Sequence, residues 1–244
     1  FKDKYLETGK KLVTKIFNAS KFAHMHLEDY DGSFDESTLT AIDKYILGQM
    51  ASMQKSAHTY LEQYEFAKAR QEIEQRFWMF CDYYLEIVKD RLYKPEVYSH
   101  ESRKAAQMTL AKSLELLLTS LAPYVPYVTE EVWSWYFADA KQSPSIHTSQ
   151  WELPDFSASE EINLGATTLF SIISQGRQAK NAAGKSQRAA IATMTIPCNK
   201  ETQAALQDFE EDIKRTLSVH ELVLDTVEKN AEPLAVEIVL AKEN

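Results

Sequence analysis

The chain has 244 residues, 44% apolar, 26% charged and 11% aromatic, a globular composition long enough for two compact domains. Its net charge of −9, from 27 Lys and Arg against 36 Asp and Glu, excludes a wholly basic, histone-like nucleic-acid binder but leaves room for one basic face. Two cysteines, Cys81 and Cys198, exclude a disulfide scaffold and CxxC metal spacing and fit the reducing cytoplasm, and the longest apolar runs, such as Leu116-Leu117-Leu118, are far too short for a membrane span. The sequence starts at Phe1 with no signal-peptide pattern, so it is expected to be a piece of a longer chain.

The spacing predicts a first helix over 3–27, with Leu6, Gly9, Leu12, Val13, Ile16, Ser20, Ala23 and Leu27 on one inward stripe. Asp31-Gly32-Ser33 breaks it. A second helix over 37–63 turns Leu39, Ile42, Ile46, Met50, Met53, Ala57 and Leu61 inward. A third, over 66–92, does the same with Ala69, Ile73, Phe77, Phe80, Cys81, Tyr84, Leu85 and Val88, and Lys94-Pro95 stops it. Ser99 or Ser102 caps a fourth helix, whose Leu110, Leu114, Leu117, Leu118 and Leu121 form the most apolar stripe in the chain. A short fifth helix follows Thr129 and ends with Trp133, Tyr136 and Phe137. Long helices that each bury one face predict an antiparallel bundle over 1–137. Pro144, Pro154 and several serines make 138–158 a linker. Beyond it come a helix over 159–182, a strand over 190–196 ended by Pro197, a helix over 200–216, and strands over 221–227 and 234–240. The fold class is therefore mainly α, a helix bundle followed by a small α+β domain over 159–244.

Charge is segregated along this chain. Residues 1–24 hold six lysines against Asp3 and Glu7, and residues 166–200 hold five basic residues and no acid. At 100° per residue, Lys4, Lys11, Lys15, Asn18 and Phe22 of the first helix fall within about 60° of one another, and Lys10 and Lys21 flank them. Cations meet phosphates, an amide reads a base edge, and a ring stacks on an unpaired base, so this face is a candidate surface for single-stranded nucleic acid. A solvated lysine face is the plainer explanation, and an exposed Phe22 is what it accounts for poorly. Gly184-Lys185-Ser186 ends like a P-loop, but position 179 is Ala and a helix, not a strand, precedes it. His24 and His26, two apart on a helix, point about 200° apart and cannot share a metal. With no Ser/His/Asp or Cys/His set detectable, neither a catalytic residue nor a metal site is expected.

Three segments resemble a known family. Lys15-Ile16-Phe17-Asn18-Ala19-Ser20-Lys21-Phe22 is similar to the Lys-Leu-Trp-Asn-Ala-Ser-Arg-Phe segment that opens the anticodon-binding bundle of the valyl-tRNA synthetases. Phe77-Trp78-Met79-Phe80-Cys81-Asp82 resembles that family's third-helix signature. Leu121-Ala122-Pro123-Tyr124-Val125-Pro126-Tyr127-Val128-Thr129-Glu130-Glu131-Val132-Trp133 resembles a segment shared with isoleucyl, leucyl and methionyl relatives, so it marks the class and not the amino acid. The likeness is firm over about residues 1–135 and loose over 159–244. Lys21 replaces the usual Arg and lacks its planar fork, Phe17 replaces Trp, and Ala122 replaces His. The catalytic signatures His-Ile-Gly-His and Lys-Met-Ser-Lys-Ser do not occur, and a strand-like 234–240 stands where many bacterial members carry a heptad-repeat arm.

The resemblance implies the C-terminal, tRNA-binding region of a class I synthetase. Its parent would join valine to tRNA with ATP and Mg²⁺, neither of which this piece is expected to hold. The implied partners are the valine anticodon stem-loop and the catalytic and editing domains of the same parent chain. Lys11, Lys15, Asn18, Lys21 and Phe22 are the implied loop contacts, and Arg70, Arg76, Lys89 and Arg91 are backbone candidates. Lys180, Lys185 and Arg188 are candidates for a more distant phosphate. The segment around Trp78 and Asp82 is the next place to look for base recognition. Two alternatives remain: the same bundle in an isoleucyl or leucyl relative, and a non-catalytic helical module that docks an acidic protein partner.

Overall fold

The structure, a computed structural model, describes residues 3–33, 35–94, 96–231 and 234–241. Pro95 and the side chain of Lys4 lie outside that description. Its contacts divide the chain into two compact units. The first holds 1–39, 46–82 and 91–157, and the second holds 40–45, 83–90 and 158–244.

The first unit is built from α1 (Asp3–Leu27), most of α2 (Ala41–Glu62), α3 (Phe66–Met79), the end of α4 (Leu85–Tyr93), α5 (His100–Leu121), α6 (Pro126–Ser134) and the short α7 (Phe137–Ala140). α5 is its centre. Every residue over 105–111 and 113–118 is buried, as befits a helix packed on several sides. Ser99 caps it by accepting from the Ser102 amide. Leu110, Leu114, Leu117, Leu118 and Leu121 are all buried, and α1, α3 and α6 pack on this helix. Of the polar groups α5 buries, Gln107 donates to the His26 carbonyl and Ser120 to the Leu116 carbonyl, each at 2.7 Å, whereas Thr109 Oγ1 and Ser113 Oγ have no partner among the described residues. Gln54 of α2 donates to the Leu116 carbonyl at 2.9 Å. α6 starts earlier than the sequence suggests, with Pro126 at its first positions, where a missing N–H costs nothing. The segment after it stays with this unit: Trp133 Nε1 donates to the Ser143 carbonyl at 2.9 Å, and Ile146 is buried.

Two expectations for the helices change. The third predicted helix is interrupted by a wide π-helical turn, Phe80–Tyr84, which separates α3 from α4. The inward stripe of α1 holds only over its second part. Ile16, Ala23 and Leu27 are fully buried or nearly so, but Leu6 is 61% and Val13 39% exposed.

In the second unit the chain forms a three-stranded sheet of order β2-β1-β3, from β1 (Ile191–Cys198), β2 (Val219–Thr226) and β3 (Glu237–Leu240). β1 and β2 are parallel, from Ile191 opposite Val219 to Cys198 opposite Thr226. Between them run α9 (Lys200–Leu206) and α10 (Glu210–Leu217), joined by a 3₁₀ turn over 207–209, so the single helix expected over 200–216 is two. β3 is antiparallel to β1 and pairs with it only as far as Thr195. Beyond Thr195 β1 pairs, among the described residues, with β2 alone, and for that reason it continues through Pro197 and is not ended there.

α8 (Glu160–Ala182) supplies Ala166, Leu169, Ile172 and Ile173 to this core, against Ile191, Met194, Ile196, Phe209 and Ile213. A Cβ at Gly165 would lie 2.2 Å from the Ala205 carbonyl oxygen and 2.4 Å from the Phe209 ring, so glycine is what lets α8 and α9 approach. Residues 40–45 and 83–90 join this unit through aromatic contacts. Phe170 of α8 stacks on Tyr83 at 4.4 Å and meets Tyr45 edge-on at 5.6 Å. Tyr84 donates to buried Asp43, whose other oxygen accepts from the amide and hydroxyl of Thr40 and so ties the residue before α2 to its first turn.

Candidate nucleic-acid interface

α1 and α3 form a groove of about 620 Å³ in the first unit. Lys10, Lys11, Thr14, Lys15 and Asn18 of α1 line it at the spacing that puts them on adjoining faces, and Trp78 of α3 closes the other side. Phe77, fully buried, meets Trp78 edge-on at 5.8 Å and fixes the indole in place. The Lys15 ammonium lies 3.0 Å from Asp82 Oδ1 and 6.0 Å from the Trp78 ring centroid. The π-helical turn exposes Asp82 while burying its neighbours Phe80, Cys81 and Tyr84. Burial pushes the Cys81 thiol up to about 12, so it is an inert neighbour of the groove and not a nucleophile.

Lys10, Lys11 and Lys21 are exposed and have no ion pair among the described residues, and the exposed Asn18 amide has no hydrogen bond there. Lys11, Lys15 and Asn18 are thus brought together as expected, with Lys21 further along the same helix. Phe22 is not. It is half-buried, with its ring 4.7 Å from His26 and 6.2 Å from Tyr93, so the ring available at the groove is Trp78. Trp78 was legible in the third-helix signature, but its pairing with Lys15 depends on two helices meeting across 63 positions of sequence.

The remaining expected contacts fall elsewhere. Arg70 pairs with Glu74 and Arg76 with Glu72, each at 3.2 Å along α3, and Lys89 pairs with Glu86 along α4. Arg91 is corrected outright. It is 4% exposed, and its guanidinium donates to the Ser102 hydroxyl at 3.1 Å and the Ser102 carbonyl at 2.8 Å, which leaves it a structural brace and not a phosphate contact. Lys180 is a second correction. It is fully buried, and its ammonium donates to the Gln187 and Leu217 carbonyls at 3.0 and 2.7 Å. Burial, with Arg177 nearby, lowers its pKa. Lys185 is half-buried and Arg188 exposed. Among the described residues no group of three or more His, Cys, Asp or Glu is placed to hold a metal ion, and no helix is long and apolar enough to cross a membrane.

A groove joining unpaired cations, an amide and an indole on two helices has the chemistry of a surface for unpaired nucleotides. The family model described as the anticodon-binding domain of tRNA ligase matches residues 43–196, and the chain belongs to that family. Within it the chain is similar to valine–tRNA ligases. It is 34% identical to that of Thermobifida fusca over 93% of this chain and 25% of the relative, and 34% identical to that of Salinispora tropica over 96% and 28%. It is 33% identical to that of Ehrlichia ruminantium (strain Gardel) over 92% and 27%. The chain therefore spans about a quarter of the length of the curated relatives it matches.

Proposed function

We propose that this chain holds tRNA, with the anticodon loop of a valine tRNA in the groove between α1 and α3. The observation that carries the reading is the meeting of Lys10, Lys11 and Asn18, all without partners among the described residues, with the indole of Trp78. Lys10 and Lys11 neutralise backbone phosphates. Trp78 offers a face on which an unpaired base stacks, and the Asn18 amide, both donor and acceptor, reads that base's edge. Lys15 can leave Asp82 for a phosphate at little cost, because so exposed a pair contributes about 0–1 kcal/mol. The reading makes the chain the cytoplasmic tRNA-holding part of a valine–tRNA ligase. Ligation of valine, with ATP and Mg²⁺, then belongs to catalytic and editing domains of a longer parent.

The test is fluorescence anisotropy with a labelled valine anticodon stem-loop and one of altered anticodon. Asn18→Ala should weaken the cognate loop by about 1–3 kcal/mol more than the altered loop. Lys11→Ala should weaken both alike and reduce the slope of log K against log salt by roughly 0.7–0.9, one phosphate contact. Equal losses for both loops with Asn18→Ala would remove it as a base reader. A binding constant that does not change with salt would sink the reading.

A further inference from the structure

The second unit carries a basic groove of its own, about 360 Å³, which the α1 surface leaves unexplained. Four cations from four different elements line it: Lys89 of α4, Arg177 of α8, Arg188 of the loop after α8, and Arg215 near the end of α10. Two lining carboxylates, Glu86 and Asp90, oppose them, with Glu86 paired to Lys89 and Glu211, outside the lining, paired to Arg215, so the lining itself keeps a small positive excess. The cations are held at fixed places. Arg177 lies over the Tyr83 ring with 5.7 Å between its Cζ and the ring centroid, and Arg215 is braced by Glu211 at 3.4 Å. Arg188 sits on a tethered loop, because the buried Lys180 ammonium binds the carbonyl of its neighbour Gln187 and the Gln187 amide reaches Asn181 Oδ1 at 2.6 Å. Arg188 itself is exposed and has no ion pair among the described residues.

We propose that this groove binds a phosphodiester of the same tRNA backbone, independently of the α1 groove, with Arg188 as the principal contact and Arg177 and Arg215 beside it. A guanidinium donates two parallel N–H groups to two phosphate oxygens, which suits arginine over lysine at such a site. No aromatic residue is among the described residues that line it, and Ile87 is the one large apolar side chain among them. The groove therefore offers no slot for a base or an acyl chain, and a backbone phosphate is the ligand its chemistry fits. The exposed Lys89–Glu86 pair exchanges readily for a phosphate contact. The proposal rests on the reading that the chain holds tRNA.

The experiment is anisotropy with a labelled full-length valine tRNA and the whole chain, across roughly 50–300 mM salt, over which the Debye length shrinks more than twofold. Arg188→Gln should weaken binding about threefold to tenfold and reduce the log–log salt slope by roughly 0.7–0.9. Arg188→Glu should weaken it further. Both change an exposed loop residue, and circular dichroism checks that each variant is folded. Lys11→Gln is run beside them. If both Arg188 variants bind as the parent chain does while Lys11→Gln loses affinity, the second groove is overturned and the first reading stands. If Arg188→Gln weakens binding and Lys11→Gln does not, the second groove stands and the α1 reading falls. A parent chain that holds no tRNA overturns both. Pyrophosphate alone, followed by amide shifts at Gln187, Arg188, Thr216 and Ser218, separates a free small anion from RNA: shifts there without any Arg188 effect on tRNA overturn the proposal.

Discussion

His26 shows how a single residue couples this bundle to pH. It is 5% exposed, with its ring 4.7 Å from Phe22 and 4.4 Å from Tyr93, and its Nε2 has no hydrogen-bond partner among the described residues. Burial lowers its pKa below the ordinary 6.5, the Arg103 charge pushes the same way, and Asp29 opposes them. The folded state therefore keeps His26 neutral where the unfolded chain takes up a proton. Its contribution to stability is complete above about pH 6.5 and is lost as the pH falls through the lower, folded value. Urea unfolding at pH 7, 6 and 5 should show stability declining over that interval, and His26→Leu should flatten the decline. An unchanged slope in the variant would assign the effect to another group. Arg91 and Lys180 belong to the same scale. A sequence places a cation on a helix face, but not the carbonyls that arrive from elsewhere, and Lys180 takes one from Leu217, 37 positions on. Neither burial was legible for that reason, whereas the periodicity of α1 set Lys11 and Asn18 opposite its inward stripe, and both are exposed.

At the scale of elements, helix existence was legible and the covering of helix faces was not. The leucine stripe of α5 is buried along its whole length because other helices pack on it. The Leu6–Val13 end of α1 has the same periodicity and is largely exposed, since periodicity says which residues share a face and not whether a neighbour covers it. The π-helical turn at Phe80–Tyr84 also left no mark in composition, because its residues suit an ordinary helix equally well. Two substitutions test the packing. Leu117→Ala, at a fully buried site, should cost about 2–5 kcal/mol in denaturant unfolding. Gly165→Ala should cost about 1–3 kcal/mol by overpacking, despite alanine's better helix propensity, because its methyl would meet the Ala205 carbonyl. A stabilised Gly165→Ala variant would mean that α8 and α9 separate freely.

For the whole molecule, the two units differ in what reports on them. Trp78, Trp133, Trp135 and Trp151 all lie in the first unit, so tryptophan emission follows that unit while far-ultraviolet circular dichroism follows both. Gly165→Ala should therefore move the dichroism transition more than the emission transition, and Leu117→Ala should move emission strongly. Coincident shifts of both probes in both variants would show one cooperative unfolding step. The boundary between units was only partly legible. The change of character after residue 158 is plain in the sequence, but the assignment of 40–45 and 83–90 to the second unit depends on Tyr45 and Tyr83 meeting Phe170, a pairing no local pattern announces.

The sealed ammonium of Lys180 has a consequence for chemical labelling. Its lowered pKa favours the free amine more than in a surface lysine, yet its two carbonyl partners and the surrounding core keep reagents away. An amine-reactive probe should modify Lys10, Lys11 and Lys21 at once and reach Lys180 only when the second unit opens. The slow modification of that one residue, followed by mass spectrometry, is then a clock for the opening rate of the second unit, readable in the native protein without denaturant.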